Sequence, residues 1–167
     1  MVHPIDAGVL DRRQSWDEYF LALAHQAASR SNCVRRKVGA VIVRRRRVQS
    51  TGYNGPPGGY GHCDGGACPR AASAAAMSAP YDDCVAIHAE ANALLFADVE
   101  DREGASLYTT DAPCFGCAKL IANSGIAEVV AGGGRYGDWE RTRRFLQDCD
   151  VRVRVLDGHE HAVPLFP

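Results

Sequence analysis

The residues of this 167-residue chain best suited to chemistry lie in two short stretches. "IHAEANALL" (87–95) reads as the start of a buried helix, because Ile87, Ala91, Leu94 and Leu95 are apolar at helical spacing. Yet His88 and Glu90 occupy its first turn, where a core helix needs neither an imidazole nor a carboxylate. "TDAPCFGCAK" (110–119) sets Cys114 and Cys117 at a second helix start, behind Pro113. Thiolates at this spacing share one side of the first turn, where the helix N-terminus favours negative charge and lowers the thiol pKa. Two thiolates fill only part of a tetrahedral zinc site. His88 can supply a third ligand, and a catalytic zinc keeps its fourth position for water. Glu90, near that water without ligating the metal, would take its proton and pass it on.

The surrounding pattern predicts the elements that bring these groups together. Ser15-Trp-Asp-Glu18 is a capping box that opens an amphipathic helix, "WDEYFLALAHQAAS", with Cys33 at the helix end. "VGAVIV" (38–43) and "VQSTGY" (48–53) read as a hairpin whose turn is Arg44 to Arg47. "NGPPGGYGHCDGGACPR" (54–70) is a Gly- and Pro-rich loop, and "AASAAAMSAP" (71–80) is either a short helix or a flexible insert. The helix from His88 follows, then a strand at 105–110, a helix at 114–125, a strand at 126–132, a helix at 138–149 and a strand at 151–156. This order implies an α/β fold: a three-layer αβα sandwich around a mixed sheet of about five strands. The strand at 105–110 lies between the two motif-bearing helices, so both helix starts can meet at one sheet edge, where open α/β sheets place their sites.

Composition narrows the function. A hydrophobic fraction of 46% supports a real core, and one domain over 15–167 behind a leader at 1–14 fits the length. A net charge of −1 argues against a nucleic-acid polymer as partner. No apolar run is long enough to span a membrane, and the N-terminus lacks signal-peptide order, so a cytoplasmic location is expected. Seven cysteines in a reducing compartment suggest metal or catalysis, and the odd count argues against a closed disulfide framework.

His-x-Glu followed by Pro-Cys-x-x-Cys is the signature of zinc nucleobase deaminases, and His88-Ala89-Glu90 with Pro113 to Cys117 fits it without gaps. Together with "SWDEYF", "RSNCVRRKVGAVIV", "TGYNGPPGG", "LYTTDAPCFGCAKLIANSGI" and "GRYGD", these residues make the chain resemble bacterial and phage deoxycytidylate (dCMP) deaminases over about residues 15 to 156. Late competence proteins share the pattern. The resemblance implies a cytidine-deaminase-like fold and hydrolysis of dCMP to dUMP and ammonia, which feeds thymidylate synthesis. Water would attack C4 of cytosine, while Glu90 protonates N3 and then the leaving amine. The family is often hexameric, activated by dCTP and inhibited by dTTP, and the loop after Tyr53 is the part resembling its effector site.

For the substrate, the resemblance makes Asn54 a contact to sugar or phosphate, with a purely conformational turn Asn as the competing reading. The backbone near Ala89 and Pro113 could hold the pyrimidine edge. Arg35 and Arg36 could reach a phosphate, although a solvated loop accounts for either alone. Tyr136 could pack on the nucleotide or be an ordinary surface aromatic. Arg44 to Arg47, and likewise Arg141, Arg143 and Arg144, are read as solvated charge, although a triphosphate could use the hairpin tip.

Relatives of this kind often carry a second, structural zinc. Here Cys33, Cys63, Cys68 and Cys84 would close a tetrahedron, and His62 could replace one of them. A zinc would explain how a long Gly-rich loop becomes ordered, and free thiols are the competing reading. Cys149 is read as a core cysteine. Three other functions remain in view. Free-nucleoside cytidine deaminases typically carry Cys where His88 stands. tRNA adenosine deaminases need a basic face. A deaminase of CMP or a modified nucleotide would differ only in local geometry. From a different class, a non-catalytic zinc protein would have no use for Glu90.

Overall fold

The computed structural model describes residues 13–72, 84–133 and 137–156. Helix α1 (Trp16–Ala28) starts at the Ser15 capping box: Glu18 N–H donates to Ser15 Oγ at 3.2 Å, and Ser15 N–H donates to Glu18 Oε2 at 2.7 Å. Strands β1 (Gly39–Arg44) and β2 (Arg47–Tyr53) follow, then the short helix α2 (Pro69–Ala72). Helices α3 (Ala89–Leu95) and α4 (Val99–Arg102) precede β3 (Ser106–Thr109) and α5 (Phe115–Ala122). The chain then forms β4 (Glu128–Ala131), α6 (Trp139–Asp148) and β5 (Arg152–Val155).

The five strands lie in the order β2-β1-β3-β4-β5. β1 runs antiparallel to β2 and β3, whereas β3, β4 and β5 are parallel, so the sheet is mixed. Strand alternation sorts the side chains onto two faces. Val41, Val43, Tyr108 and Val130 pack with Phe20, Leu21 and Ala24 of α1. On the other face, Ala40, Ile42, Leu107 and Val129 pack with Ala89, Ala93 and Leu94 of α3, Cys117, Ala118 and Ile121 of α5, and Leu146 of α6. This is the three-layer sandwich expected from the sequence.

Two glycines set how closely the helices approach. A Cβ on Gly39 would collide with the backbone of Ala24 and Ala28, and a Cβ on Gly52 with that of Ala89 and Ala93. Gly52 therefore lets α3, and with it the His88 turn, lie against β2. Ser50 Oγ adds a 2.7 Å hydrogen bond to the Ala93 carbonyl, and Asn92 Nδ2 donates to the Tyr53 carbonyl at 2.7 Å.

Four details differ from the sequence reading. Helix α1 stops at Ala28 with Ser29 as its C-cap, so Cys33 lies in the loop beyond rather than at the helix end. The arginine turn contracts to Arg45 and Arg46, both at positive φ (52° and 59°), because β1 and β2 extend to Arg44 and Arg47. Helix α2 starts at Pro69, inside the stretch read as loop, and α4 fills a stretch to which the sequence reading gave no element. Cys149 is exposed. It caps the end of α6 and turns outward, while Val151 takes the next buried position. Residues 73–80 of the alanine-rich stretch lie outside the described residues. Among the described residues, no helix is long and apolar enough to cross a membrane.

Candidate metal centre

His88 is the N-cap of α3 and Cys114 the N-cap of α5, so the two motifs meet end to end across β3. Backbone pairing fixes each approach. Gly55 and Ile87 exchange two hydrogen bonds (3.1 and 2.8 Å), pinning the chain one residue before His88. On the other side, Thr110 N–H donates to the Gly39 carbonyl at 3.0 Å, and Ala112 N–H donates to the Gly133 carbonyl at 2.8 Å. Arg36 grips Asp111 with two contacts, Nε at 2.8 Å and Nη2 at 3.0 Å. These bonds leave little freedom in the turn that carries Pro113 and Cys114.

The three donors converge. His88 Nδ1 lies 3.4 Å from Cys114 Sγ and 3.4 Å from Cys117 Sγ, and the three ligand atoms all fall within 4.8 Å of one another. Tetrahedral zinc, with Zn–S near 2.3 Å and Zn–N near 2.0 Å, needs such donors roughly 3.5 Å apart. The set therefore fits a zinc ion, and it is the only group of its kind among the described residues. Glu90 is not a member. It is 4% exposed, and its Oε2 sits 3.6 Å from Cys117 Sγ, beside the donors.

The electrostatics follow from contact and burial. Cys117, as donor to Cys114, lowers the Cys114 thiol to about 4, helped by His88 and the Cys117 N–H. The same contact with Cys114, followed by burial, pushes Cys117 up. His88 is raised, chiefly by its contact with Cys114. Burial raises Glu90 above the usual carboxylate range.

Most of the other predicted residues line one cavity with His88, Glu90 and Cys114. Its wall includes Arg35, Arg36, Asn54, Ala89, Glu90, His88 and Cys114, and also Cys33, Cys63, Cys68 and Cys84. Asn54 is buried and engages backbone: its Oδ1 accepts from Val38 N–H at 2.8 Å, and its Nδ2 donates to the Arg36 carbonyl at 2.8 Å. Pro113 is buried directly before Cys114. Tyr136 lies outside the described residues. The four loop cysteines share the wall without closing to ligand distance. Cys63 meets Cys68, and burial followed by that neighbour raises Cys63 to about 11. Burial also pulls Cys68 upward, but N–H groups of Ala71, Arg70 and Val85 and the Cys63 thiol outweigh it and leave Cys68 lowered. His62 is exposed, its carbonyl accepting from Gly65 and Ala67. Away from the cavity, Arg46 stacks on Trp16 at 5.1 Å, Arg141 lies over Phe115 at 4.0 Å, Arg143 pairs with Glu140 at 2.9 Å, and Arg144 is exposed.

Two charged wall residues escaped the sequence reading, Asp111 and Arg70. Asp111 sits two residues before Pro113. Arg70 follows Cys68-Pro69, and its position beside a candidate ligand was the available signal.

The chain matches the family model described as the cytidine and deoxycytidylate deaminase zinc-binding region over residues 14–133. It is 54% identical over 123 residues to the deoxycytidylate deaminase of Mycobacterium phage D29, covering 71% of this chain and 94% of that protein. The deoxycytidylate deaminase of Schizosaccharomyces pombe is 46% identical over 153 residues, covering 90% of this chain; the chain spans 47% of that longer protein. Among solved structures, the dCMP deaminase of cyanophage S-TIM5 superposes with a TM-score of 0.61 at 27% identity, covering 83% of this chain and 95% of that one. With His88, Glu90 and Cys114 on the wall of one cavity and the family match covering every residue of that wall, the chain belongs to the cytidine and deoxycytidylate deaminase zinc-binding family.

Proposed function

We propose that this protein converts dCMP to dUMP and ammonia by hydrolysis. One observation carries the reading: a buried carboxylate, Glu90, stands 3.6 Å from the sulfur of a three-donor His/Cys/Cys set without joining it. A purely structural zinc site is closed by four ligands, whereas an open site beside an acid is a catalytic arrangement. Zinc held by His88, Cys114 and Cys117 would supply Lewis acidity, which makes water nucleophilic near neutral pH. Glu90 takes one proton of the attacking water and delivers it to N3 of cytosine, then takes the proton of the new C4 hydroxyl and delivers it to the amine as the C4–N4 bond breaks, leaving the C4 carbonyl and ammonia. Its burial suits both roles, because a raised carboxyl pKa lets it hold a proton between the two transfers. The backbone at Ala89 and Pro113 holds the pyrimidine edge. Asn54 fixes residues 36–38 and so shapes the sugar end of the cavity.

The choice of dCMP rests on the relatives, which bear that name at 54% and 46% identity. A second zinc at Cys33, Cys63, Cys68 and Cys84, a hexameric assembly, activation by dCTP, inhibition by dTTP and supply of thymidylate synthesis belong to the same reading. The shared wall and the N–H groups aimed at Cys68 support the second zinc. An ultraviolet deamination assay tests the whole. dCMP should be turned over rapidly, with CMP, deoxycytidine and dCTP poor substrates, and the rate should respond to dCTP and dTTP. Zinc in the protein with no turnover of dCMP would rule out the substrate.

A further inference from the structure

We infer that the Arg36–Asp111 ion pair is a positioning pair: it sets the distance between the sugar end of the cavity and the turn that holds the pyrimidine edge, and so aligns the ring for attack. The inference rests on the deaminase reading above. Strands β1 and β3 keep register up to Ala40 and Thr109. One further rung follows, with Thr110 N–H donating to the Gly39 carbonyl at 3.0 Å and Gly39 N–H donating to Thr110 Oγ1 at 3.2 Å. Beyond it both segments line the cavity, one through Arg36 and Val38, the other through Asp111, Ala112 and Cys114.

The ion pair ties these two segments together. Arg36 presents Nε to Asp111 Oδ2 at 2.8 Å and Nη2 to Oδ1 at 3.0 Å, a two-point grip that fixes orientation as well as distance. Each partner is anchored in turn. The Arg36 carbonyl accepts from Asn54 Nδ2 at 2.8 Å, and Ser31 Oγ donates to the Asn54 carbonyl at 2.7 Å. The Asp111 carbonyl accepts from Thr109 Oγ1 at 3.0 Å. The two side chains are 40% and 19% exposed, so water would screen a single-point bridge, whereas the bidentate geometry keeps its direction. Pro113 and Cys114 follow Asp111 directly after Ala112, so a shift at Asp111 reaches the pyrimidine edge and one candidate zinc ligand together. A misplacement of about 1 Å in such a frame can cost about a hundredfold in rate. Two other roles compete: Arg36 as a bare cation that draws in the phosphate, and the pair as a fold-stabilising bridge alone.

Steady-state kinetics on dCMP, calorimetric titration with dUMP, zinc content and melting temperature separate the three roles. The proteins are zinc-loaded wild type, Asp111→Asn, Arg36→Gln, Arg36→Lys and the double variant Arg36→Gln/Asp111→Asn. Asp111→Asn should lower kcat about ten- to hundredfold, with KM and dUMP affinity within about threefold of wild type and zinc content unchanged. Arg36→Lys should lose as much, because an ammonium keeps the charge without the fork. The double variant should lose no more than either Arg36→Gln or Asp111→Asn, as residues acting as a unit do. Arg36→Lys at wild-type kcat, or variants whose KM and dUMP Kd rise with kcat kept, make Arg36 a bare cation and overturn the assignment. Losses that multiply in the double variant mean two separate roles and overturn it as well. A lower melting temperature or zinc content with wild-type kcat per zinc-loaded chain makes the pair structural alone, which also overturns it. Wild type that holds zinc but does not deaminate dCMP overturns the deaminase reading, and this assignment with it.

Discussion

His88, Cys114 and Cys117 reach one point from the first turns of two helices, whereas Cys33, Cys63, Cys68 and Cys84 come from loops. The first set meets at 3.4 Å. The second shares a cavity wall but does not gather to ligand distance. The sheet accounts for the difference. β1 and β3 hold the turn before α5, and β2 and the Gly55–Ile87 pairing hold the turn before α3, so the first site is assembled by folding itself. Cys63 and Cys68 lie in the Gly- and Pro-rich stretch, where backbone entropy resists ordering and only a ligand offsets it. A site preorganised by the fold suits catalysis, whereas one completed by its ion suits a structural clasp.

Two substitutions test that contrast most directly. Glu90→Gln should reduce kcat about 10²–10⁴-fold, the usual worth of a positioned proton carrier, with zinc content and melting temperature nearly unchanged. Undiminished turnover would end the proposed role of Glu90. Cys68→Ser should act through the other region. Zinc should fall from about two to about one per chain, with a drop in melting temperature of several degrees, at roughly 2–4 °C per kcal/mol for a chain of this size. Zinc at one per chain in both proteins would show that the loop thiols bind none.

The same contrast explains what could be read from the sequence. The quartet of His88, Glu90, Cys114 and Cys117 was legible because each pair sits at a fixed offset within one helix start, and local spacing is what a sequence displays. The Ser15 capping box and the β-branched run of β1 were legible for the same reason. Asp111 and Arg70 were not, because their importance comes from partners distant in sequence: Arg36 lies 75 residues from Asp111, and Arg35 lies 35 residues from Arg70. Asn54 was read either as a substrate contact or as a turn residue supplying backbone geometry, and its amide braces Arg36 and Val38, partners that no motif announces. Cys33 was placed at a helix end that falls at Ala28, and Cys149 was read as core although it is the exposed C-cap of α6, because helix ends depend on capping, to which the apolar period is blind.

A third test loads the sheet itself. Gly52→Ala would drive a methyl into the Ala89 carbonyl and the Ala93 nitrogen, which as backbone atoms cannot swing aside. Overpacking of this kind costs about 1–3 kcal/mol. Because Ala89 adjoins His88, kcat/KM should fall along with stability. A stable, inactive Gly52→Ala would show that position rather than folding was lost. An unchanged enzyme would mean that α3 does not need its close seat on β2.

The smallest effect is expected farthest from the cavity, at the hairpin tip. Arg45 and Arg46 both hold positive φ in a two-residue turn, a geometry that favours Asn at the first position and Gly at the second. Arg45→Asn should therefore stabilise the protein by about 0.5 kcal/mol, because Asn tolerates this conformation better than Arg. Arg46→Gly relieves similar strain but gives up the stacking on Trp16 at 5.1 Å, worth about 0.5–1 kcal/mol at an exposed site, so its net change should be near zero. Chemical denaturation of the two variants measures the difference. Both should keep wild-type kcat/KM and zinc content, since the tip touches neither set of donors. A loss of activity in either would mean that the arginine turn is coupled to the site through β1 and β2, and the division between a sheet-built centre and a solvated hairpin tip would have to be redrawn.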